Sequence, residues 1–347
     1  MAPGAERRPA RRSRSFTGEH PAIFADGRPE RPHDLLAPDG LFDRTRAACA
    51  RVTDQATSVT IDEGALARLA SALGPPPPLL PEERPTGDDE EDIALEVLAW
   101  NAVNFGSGWF PLVTKRAGLS GARSLATALG DHVAAHGPPT AAWLAEADAA
   151  RCAEVFAQPF PGPVDDLLDL YAQAWRDLAA LLADHDGSAA TLVHACGRSA
   201  ARLASTLATM PLAHDVPSYD GEPVPLLKRA QITASHLARA TGGEGIGQFD
   251  DLDRLTAFAD NLVPHTLRMA GVLRYDDTLA ARIAAGELLA PGEPAEVEVR
   301  ACGVHAVELL AARVGQPPAD VDQQLWQRGQ APEVKAQPRH RCRTSWY

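Results

Sequence analysis

The chain has 347 residues, of which 45% are hydrophobic, and 33 basic against 46 acidic residues give it a net charge of −13. This length can bury a large core, and no apolar run approaches the ~18 residues of a membrane span. A protein that grips a nucleic-acid backbone usually shows a basic face. The composition therefore argues against a membrane protein and against a stable nucleic-acid complex, and it predicts a soluble globular protein.

The five cysteines are scattered along the chain and form no CxxC pair; they are Cys49, Cys152, Cys196, Cys302 and Cys342. The first forty residues also lack the apolar segment of a secretory signal. Reduced thiols in a cytoplasm fit this pattern better than a disulfide framework or a zinc site. We therefore expect a cytoplasmic protein without a metal or another cofactor.

Three regions follow from the composition along the chain. Residues 1–42 are rich in arginine and proline and poor in apolar residues, which predicts a disordered arm. Residues 43–347 are predicted to form a single helical domain. Within it, residues 74–92 contain a proline run followed by an acidic run, which predicts a surface loop.

Apolar residues recur at helical spacing through most of the domain. The predicted helices cover residues 62–73, 93–103, 121–136, 140–157, 164–185, 188–209, 226–240, 252–259, 264–273 and 296–314. EVEVR, Glu296 to Arg300, alternates like a strand, but it runs into a helical pattern without a break. No βαβ alternation, Gly-rich phosphate loop or internal repeat is present. The predicted fold class is all-α.

Two local patterns offer only weak evidence of chemistry. HVAAH, His132 to His136, spaces two imidazoles as a zinc protease does but lacks the glutamate of HExxH, so a solvated helix face is the better interpretation. The serines of SGARS and GRSAARLAS lack the strand-turn-helix context of a nucleophile elbow. Neither pattern supports metal-dependent or serine hydrolysis.

Two aspartates flank the predicted helix 252–259. Asp251 stands where an N-cap is wanted, and we interpret it as a structural cap. Asp260 lies among Phe258, Ala259, Leu262 and Val263, at the end of that helix where the macrodipole is negative. Capping explains it poorly there, and residues that violate local rules are often functional.

Lysine is almost absent, since only Lys115, Lys228 and Lys335 occur among the 33 basic residues. Arginine replaces lysine in surface ion pairs without loss, but not where a compact, titratable ammonium is needed. Retained lysines are therefore candidates for a functional role.

Several separated motifs resemble those of the queuosine salvage family. FADNLVP at Phe258 to Pro264 is similar to the family's FADYRVP, and LKRAQI at Leu227 to Ile232 is similar to YKRAQI. Further similarities, in the same order along the chain, are VNFGSGW at 103–109, SGARSL at 120–125, GVLRY at 271–275, EVEVRACGVHAVEL at 296–309 and HRCRTSWY at 340–347. The resemblance spans about residues 45–347.

The resemblance implies an all-α fold similar to helical DNA glycosylases and hydrolysis of the N-glycosidic bond of queuosine 5′-phosphate. This reaction releases queuine for salvage into tRNA modification. The catalytic aspartate and lysine of the family fall on Asp260 and Lys228. A carboxylate can stabilise an oxocarbenium-like sugar or deprotonate the incoming water, and an ammonium can stabilise the departing base or orient the carboxylate.

The matched motifs also imply the residues that bind a small nucleotide substrate. Aromatic faces for the base are expected from Phe105, Trp109 and Phe110, and a charged fork for the phosphate from Arg339, His340, Arg341 and Arg343. The remaining expected substrate-binding residues are Asn104, Arg229, His265, His305 and Tyr347. Glu298, Arg300 and Glu308 are expected to form an internal salt-bridge set.

The chain departs from the family motifs near the expected substrate. Asn261 and Leu262 stand where the family has Tyr-Arg, His265 replaces Gln, and Ala122 and Arg123 replace the Tyr-Trp pair of SGYWSL. The base recognised is therefore left open between queuine and another 7-deazapurine. Two alternatives to the nucleotide N-glycosidase are a DNA or RNA base glycosylase and a non-catalytic carrier of the free base. The oligomeric state is not determined by the sequence.

Overall fold

The computed structural model describes residues 35–347, and helices form most of this part of the chain. Polar residues that precede the apolar runs cap the starts of the helices, because their side chains accept hydrogen bonds from backbone N–H groups of the first turn. Asp62, Asp89, Ser120, Ser188 and Ser199 cap helices in this manner. Local sequence thus determines where many of the helices start.

Nine of the helices in the described residues lie before residue 208. They are α1 Leu41–Gln55, α2 Glu63–Ala70, α3 Glu90–Ala102, α4 Gly121–His136, α5 Ala141–Ala145, α6 Ala149–Val155, α7 Asp165–Ala183, α8 Ala189–Ala195 and α9 Ala200–Leu207. The later helices are α10 Lys228–Ala240, α11 Leu262–Met269, α12 Asp277–Ala284, α13 Pro294–Val314, α14 Pro318–Arg328 and α15 Pro332–Lys335.

Short strands tie distant segments together. Strand β1 (Val59–Ile61) pairs antiparallel with β4 (Leu273–Tyr275), with Val59 opposite Tyr275. Strands β2 (Ser218–Tyr219) and β3 (Glu222–Pro223) form a small antiparallel hairpin before α10. These pairings hold loops against helices and do not build a sheet core, so the all-α prediction is confirmed.

The apolar side chains form two cores. The first core surrounds α7, where Tyr171 and Trp175 are fully buried and Phe156 stacks on Trp175 with ring centroids 5.3 Å apart. The second core surrounds α13, which packs against α1, α2 and α14. Residues 255–259 lie between the two cores, because Leu255 and Phe258 belong to the first and Ala257 and Ala259 to the second.

Several predicted helices differ from those observed. The predicted helix 140–157 is two helices, α5 and α6, and 188–209 is α8 and α9, each pair separated by a turn with a new N-cap. EVEVR is helical, as predicted, within α13. The predicted helix 252–259 is wrong: only Leu252–Arg254 forms a 3-10 turn, and residues 255–260 are irregular backbone. Helices α1, α12 and α14 had no counterpart in the prediction.

The predicted arm falls largely on residues 1–34, which lie outside the described residues, while Leu41 and Phe42 at its end are buried in α1. None of the helices within residues 35–347 is both long and apolar enough to cross a bilayer. The carboxyl terminus returns to the body of the protein, since Gly106 and Ser107 donate their backbone N–H groups to the Tyr347 carbonyl at 3.0 and 3.4 Å.

Candidate active site

Asp260 lies between the two cores and directly before α11. Its Oδ1 accepts hydrogen bonds from the backbone N–H groups of Leu262 and Val263, at 2.8 and 2.9 Å. Its Oδ2 has no hydrogen-bond partner within residues 35–347, and the side chain faces a cavity. One oxygen of the carboxylate therefore caps the helix, while the other is free to meet a ligand.

This geometry corrects the predicted setting of both aspartates. Asp260 lies at the positive end of the helix that follows it, where the macrodipole stabilises a carboxylate, and not at the negative end of a helix before it. Asp251 is a cap, but for a helix elsewhere: its carboxylate accepts from the N–H groups of Ala200 and Ala201 and from the Ser199 hydroxyl, at the start of α9.

Lys228 is the first residue of α10 and is only 5% exposed. Its Nζ donates to the Asn104 carbonyl at 2.9 Å, and its backbone N–H donates to Asp215 Oδ2 at 3.2 Å. Leu227, immediately before it, adopts a left-handed conformation with φ 50°, which is rare for a branched side chain and turns the chain into the helix. The ammonium is thus placed by the end of α3 on one side and by Asp215 on the other.

A cavity with an empty volume of about 1030 Å³ contains both residues. Its walls come from helices of both cores and from the segment before α3. The aromatic and charged residues and their polar neighbours in the lining include Glu82, Glu83, Trp100, Asn104, Phe105, Phe110, Arg123, Lys228, His236, Asp260, Asp322, Trp326, Lys335, Arg339 and Tyr347. Aromatic side chains supply flat apolar faces, and charged groups face them.

The charges of Asp260 and Lys228 act on each other's pKa. Burial lowers the pKa of Lys228 to about 8, although the charge of Asp260 acts in the opposite direction. Burial raises the pKa of Asp260 above its ordinary value, against the two backbone hydrogen bonds and the charges of Lys228 and Arg339. A buried charge costs free energy unless a partner compensates it, so each residue stabilises the charged form of the other.

Asp322 on α14 is a second carboxylate in the same cavity, and sequence reasoning missed it. Its Oδ1 accepts from the backbone N–H of Phe258 at 2.9 Å, which holds the segment that leads into Asp260. Burial and the nearby charge of Asp260 raise the pKa of Asp322 well above its ordinary value. Because the two carboxylates repel each other, the site favours one negative charge on the pair opposite Lys228.

A hydrogen-bond chain determines the tautomer of His236. Asn101 Nδ2 donates to the Val97 carbonyl at 2.9 Å, so the amide nitrogen must also be the atom that faces His236 Nδ1 at 3.1 Å. Nδ1 is therefore an acceptor, and Nε2 carries the proton. Burial lowers the pKa of His236 to about 3, so this imidazole is a neutral donor in the cavity wall.

Comparison with known proteins identifies the family. Residues 90–347 match the family described as queuosine salvage protein. The chain belongs to the queuosine salvage family. It is 37% identical over 330 residues to a protein of Sphaerobacter thermophilus, an alignment that covers 91% of this chain and 99% of that protein. That relative is named queuosine 5′-phosphate N-glycosylase/hydrolase.

Eukaryotic relatives with the same name are similar over shorter stretches. The identity is 32% over 182 residues with the Mus musculus protein, which covers 48% of this chain and 54% of that protein. With the Schizosaccharomyces pombe protein it is 32% over 189 residues, covering 52% of this chain and 55% of that one. About half of this chain is therefore similar to each of these eukaryotic relatives.

The fold brings together some of the residues that the queuosine salvage motifs predict as substrate contacts. Asn104, Phe105, Arg339 and Tyr347 line the cavity beside Asp260 and Lys228, as does Phe110. Arg341 lies outside it but lines an adjoining groove that also contains Lys115, Lys335 and Arg339. Their roles as substrate contacts stay predictions, now with a common location.

Other predicted contacts are placed behind the cavity wall. Arg229 is buried, donates to the Ala102 and Leu212 carbonyls, and packs its guanidinium 4.8 Å from the Phe105 ring centroid. Trp109 is buried, and the guanidinium carbon of Arg343 lies 5.4 Å from the centroid of its ring. Neither Trp109 nor Arg229 lines the cavity, so both support Phe105 and the chain terminus from outside it.

The three predicted histidine contacts also lie outside the cavity lining. His265 Nε2 is 2.9 Å from the Val334 carbonyl, which ties α11 to α15. His340 is 1% exposed, and burial lowers its pKa to about 3. His305 lies on α13, where the charges of Asp54 and Glu63 reach it. His132 and His136 stack on α4, and no group of three or more potential metal ligands occurs within residues 35–347.

The predicted salt-bridge set is wrong in its pairing. Arg300 pairs with Asp215 at 2.6 Å and with Glu296 at 3.4 Å, and all three side chains are buried. Glu298 instead accepts from the N–H groups of Ser58 and Val59, and Glu308 pairs with Arg46. Glu296 is one helical turn from Arg300, but Asp215, Arg46, Ser58 and Val59 come from distant segments, which a local pattern cannot indicate.

Proposed function

We propose that the chain hydrolyses the N-glycosidic bond of queuosine 5′-phosphate, or of a related 7-deazapurine nucleotide, and releases the free base. The observation that carries this proposal is the free Oδ2 of Asp260, which faces a cavity that also contains the buried ammonium of Lys228. The names of the relatives supply the substrate class.

The chemistry assigns one role to each of the two residues. The C1′–N bond breaks with its electrons on the base nitrogen, and the sugar becomes oxocarbenium-like. Asp260 Oδ2 stabilises this cation and takes a proton from the water whose oxygen forms the new C1′–O bond. The departing nitrogen takes a proton from Lys228, which the carboxyl proton restores. Lys228 is buried, and burial is the main cause of the pKa shifts of both residues, so these charges interact strongly.

The distribution of charge orients the nucleotide. Lys115, Lys335, Arg339 and Arg341 surround the adjoining groove, and within the described residues none of them forms an ion pair with a carboxylate. Arg339 Nε is also buried without a hydrogen-bond partner. In a chain of net charge −13, such an uncompensated cluster is suited to an anion. The phosphate therefore binds at this groove, and the sugar lies at Asp260.

Removal of one cation tests this orientation. Arg339→Gln is expected to raise KM for the 5′-phosphate by roughly tenfold to hundredfold, the loss of a charge-assisted hydrogen bond, and to change KM for the unphosphorylated nucleoside little. The measurement is steady-state release of base from both substrates. Arg343→Gln is the control. Arg343 was expected in the phosphate fork, but it lines neither the cavity nor the groove; it is exposed and pairs with Asp166. Equal effects of the two variants would contradict the assignment.

The pKa of Lys228 predicts the alkaline limb of the pH profile. Because burial lowers this pKa to about 8, the ammonium that protonates the leaving base is lost as the pH rises through 8. We expect kcat/KM to fall tenfold per pH unit above that point. The stability has the opposite dependence, since the unfolded chain binds this proton up to a higher pH and the free energy of unfolding therefore rises between pH 8 and about 10.4. A profile that is flat to pH 10 would exclude Lys228 as the acid.

The reaction itself is tested directly. The protein is incubated with queuosine, its 5′-monophosphate and guanosine 5′-phosphate, and the liberated bases are measured by mass spectrometry. Release of queuine from the monophosphate is the expected result. Binding of queuine without cleavage of any of these substrates would favour a carrier instead.

The setting in the cell follows from the same residues. All five cysteines are free and buried, which suits a reducing compartment, and the acidic surface does not favour a nucleic-acid partner. We place the reaction in the cytoplasm, on a small-molecule nucleotide.

A further inference from the structure

The cavity has a second polar end, formed by Glu82, Glu83 and Arg123, which the proposed reaction does not use. We propose that this end is a subsite for a cationic substituent on the base and that it decides which base is released. The proposal rests on the proposed function, because it assumes that the substrate's sugar lies at Asp260.

The two ends of the cavity adjoin different spaces. A side chamber with an empty volume of about 540 Å³ shares Glu82, Glu83, Trp100, Ala126 and His236 with the main cavity. The basic groove shares a different set, namely Phe110, Ser120, Gly121, Lys335 and Arg339. The two spaces therefore leave the cavity through different parts of its wall. With the phosphate at the groove, the base extends toward the side chamber.

The carboxylates of this end are held in place by the protein. Glu82 is 7% exposed at its side chain and pairs with Arg123. Glu83 Oε2 accepts from the Leu80 N–H at 2.7 Å, and Oε1 accepts from Gln323 Nε2 at 3.4 Å. Burial raises the pKa of Glu83, while its two hydrogen bonds and the charge of Arg239 act in the opposite direction.

Within the described residues, Glu83 forms no ion pair with a cation. Arg123 matches only one of the two glutamates, His236 is neutral, and Arg239, the other cation near Glu83, donates to the Pro77 carbonyl and forms no ion pair with it. A cationic amine entering the chamber would form an ion pair with Glu83 and would donate hydrogen bonds to its carboxylate oxygens. An uncharged substituent would leave the carboxylate buried without compensation.

Part of this subsite departs from the queuosine salvage motifs. Glu82 and Glu83 precede residues 90–347, which match the family. Arg123 stands where the family motif SGYWSL has tryptophan, so an ion pair with Glu82 replaces an aromatic wall. We infer that base selection has been rebuilt here while Asp260 and Lys228 are retained.

Comparing the binding of two free bases isolates the contribution of the subsite from that of the rest of the cavity. Queuine carries a secondary amine, which is protonated at neutral pH, on its 7-substituent, and 7-deazaguanine lacks this substituent. Calorimetry on the full chain should show that queuine binds more tightly than 7-deazaguanine. Glu83→Gln keeps one acceptor oxygen for the Leu80 N–H, and its amide nitrogen can donate to the Gln323 side-chain oxygen once that amide is turned over. It should weaken queuine binding about tenfold or more while changing 7-deazaguanine binding less than about twofold.

A second variant should act in the opposite direction. Arg123→Gln leaves both glutamates uncompensated, so it should increase the preference for queuine over 7-deazaguanine. Glu333→Gln is the matched control, because Glu333 is exposed on α15 and loses the same charge. If Glu83→Gln weakens both bases equally, or if Arg123→Gln lowers the preference, the subsite is not there.

The binding measurement also distinguishes this proposal from the proposed function. Should the wild-type chain bind queuine with the expected preference but release no base from queuosine 5′-phosphate, the reaction is wrong and the subsite stands. The opposite result is that the wild-type chain releases base from that nucleotide, while Glu83→Gln, Arg123→Gln and the control Glu333→Gln all have the same kcat/KM and the same affinity for both bases. In that case the reaction stands and the subsite is wrong.

Discussion

Asp260→Asn is expected to lower kcat for base release by roughly 10²–10⁴-fold, the usual contribution of a positioned general base. The reason is specific to Oδ2, because Asn retains an Oδ1 that can accept from Leu262 and Val263 and keeps the cap on α11. The amide that replaces Oδ2 can neither take the proton of water nor stabilise a cation as an anion does. The measurement is single-turnover release of base from the 5′-phosphate.

The stability of the same variant separates catalysis from structure. Burial raises the pKa of Asp260 above its unfolded value, so the folded state prefers the protonated group and loses stability as the pH rises through the folded pKa. At pH 7 the neutral Asn should therefore leave the melting temperature unchanged or raise it. A residue with only a structural role would give the reverse result, a lower Tm with turnover near that of the wild type.

Arg300→Ala is expected to lower the free energy of unfolding by roughly 3–5 kcal/mol, as removal of one partner from a buried ion pair does. The substitution leaves the carboxylates of Asp215 and Glu296 buried without their cation, both at 2% exposure or less. It also removes the guanidinium that lies 4.5 Å from the Tyr347 ring centroid. Urea unfolding followed by tryptophan fluorescence would measure the shift in midpoint at constant slope.

Arg313→Ala provides a matched control on the same helix. Arg313 pairs with Glu63 at 2.7 Å, but both side chains are largely exposed, and exposed pairs contribute about 0–1 kcal/mol. Comparable destabilisation by the two substitutions would show that helix α13, and not the buried network, is the sensitive element. Arg300→Lys should lie between them, because it keeps the charge but cannot bond Asp215 through two nitrogens.

The buried network also connects stability to the site. Asp215 accepts from Arg300 with its carboxylate and from the Lys228 backbone N–H, and its carbonyl accepts from Leu226 and Leu227. A shift of Asp215 would therefore move the first turn of α10 and the ammonium with it. We expect the residual folded fraction of Arg300→Ala to show a reduced kcat as well as reduced stability.

Sequence and structure agree where the determinants are local. Apolar residues at helical spacing and polar N-caps are properties of a few consecutive residues, and α3, α4, α7, α10 and α13 lie close to where they were predicted. The motif FADNLVP likewise indicated Asp260 before its surroundings were known. The error over residues 252–259 arose because a helical pattern of apolar residues there reflects burial between two cores, not a helix.

The candidate site required long-range information. Asp322 follows Phe258 by 64 positions, and Glu82 reaches Arg123 across 41, so no local spacing could place either pair. Arg229 and His340 occur in matched motifs, yet burial assigns them to the wall behind the cavity. A motif shows which residues belong together in a family, but not which side of a wall each one faces.

By itself, the sequence indicated the all-helical class, the two residues at the centre of the proposed chemistry and the membership in a family. Each of these signals is a pattern or a motif within a short stretch of the chain. Only the tertiary structure decided that Asp260 caps α11 with one oxygen and keeps the other free, and that cations gather at one end of the cavity and carboxylates at the other. The physical reason is that burial and electrostatic partners depend on which distant segments meet, and those meetings are set by the packing of the two cores.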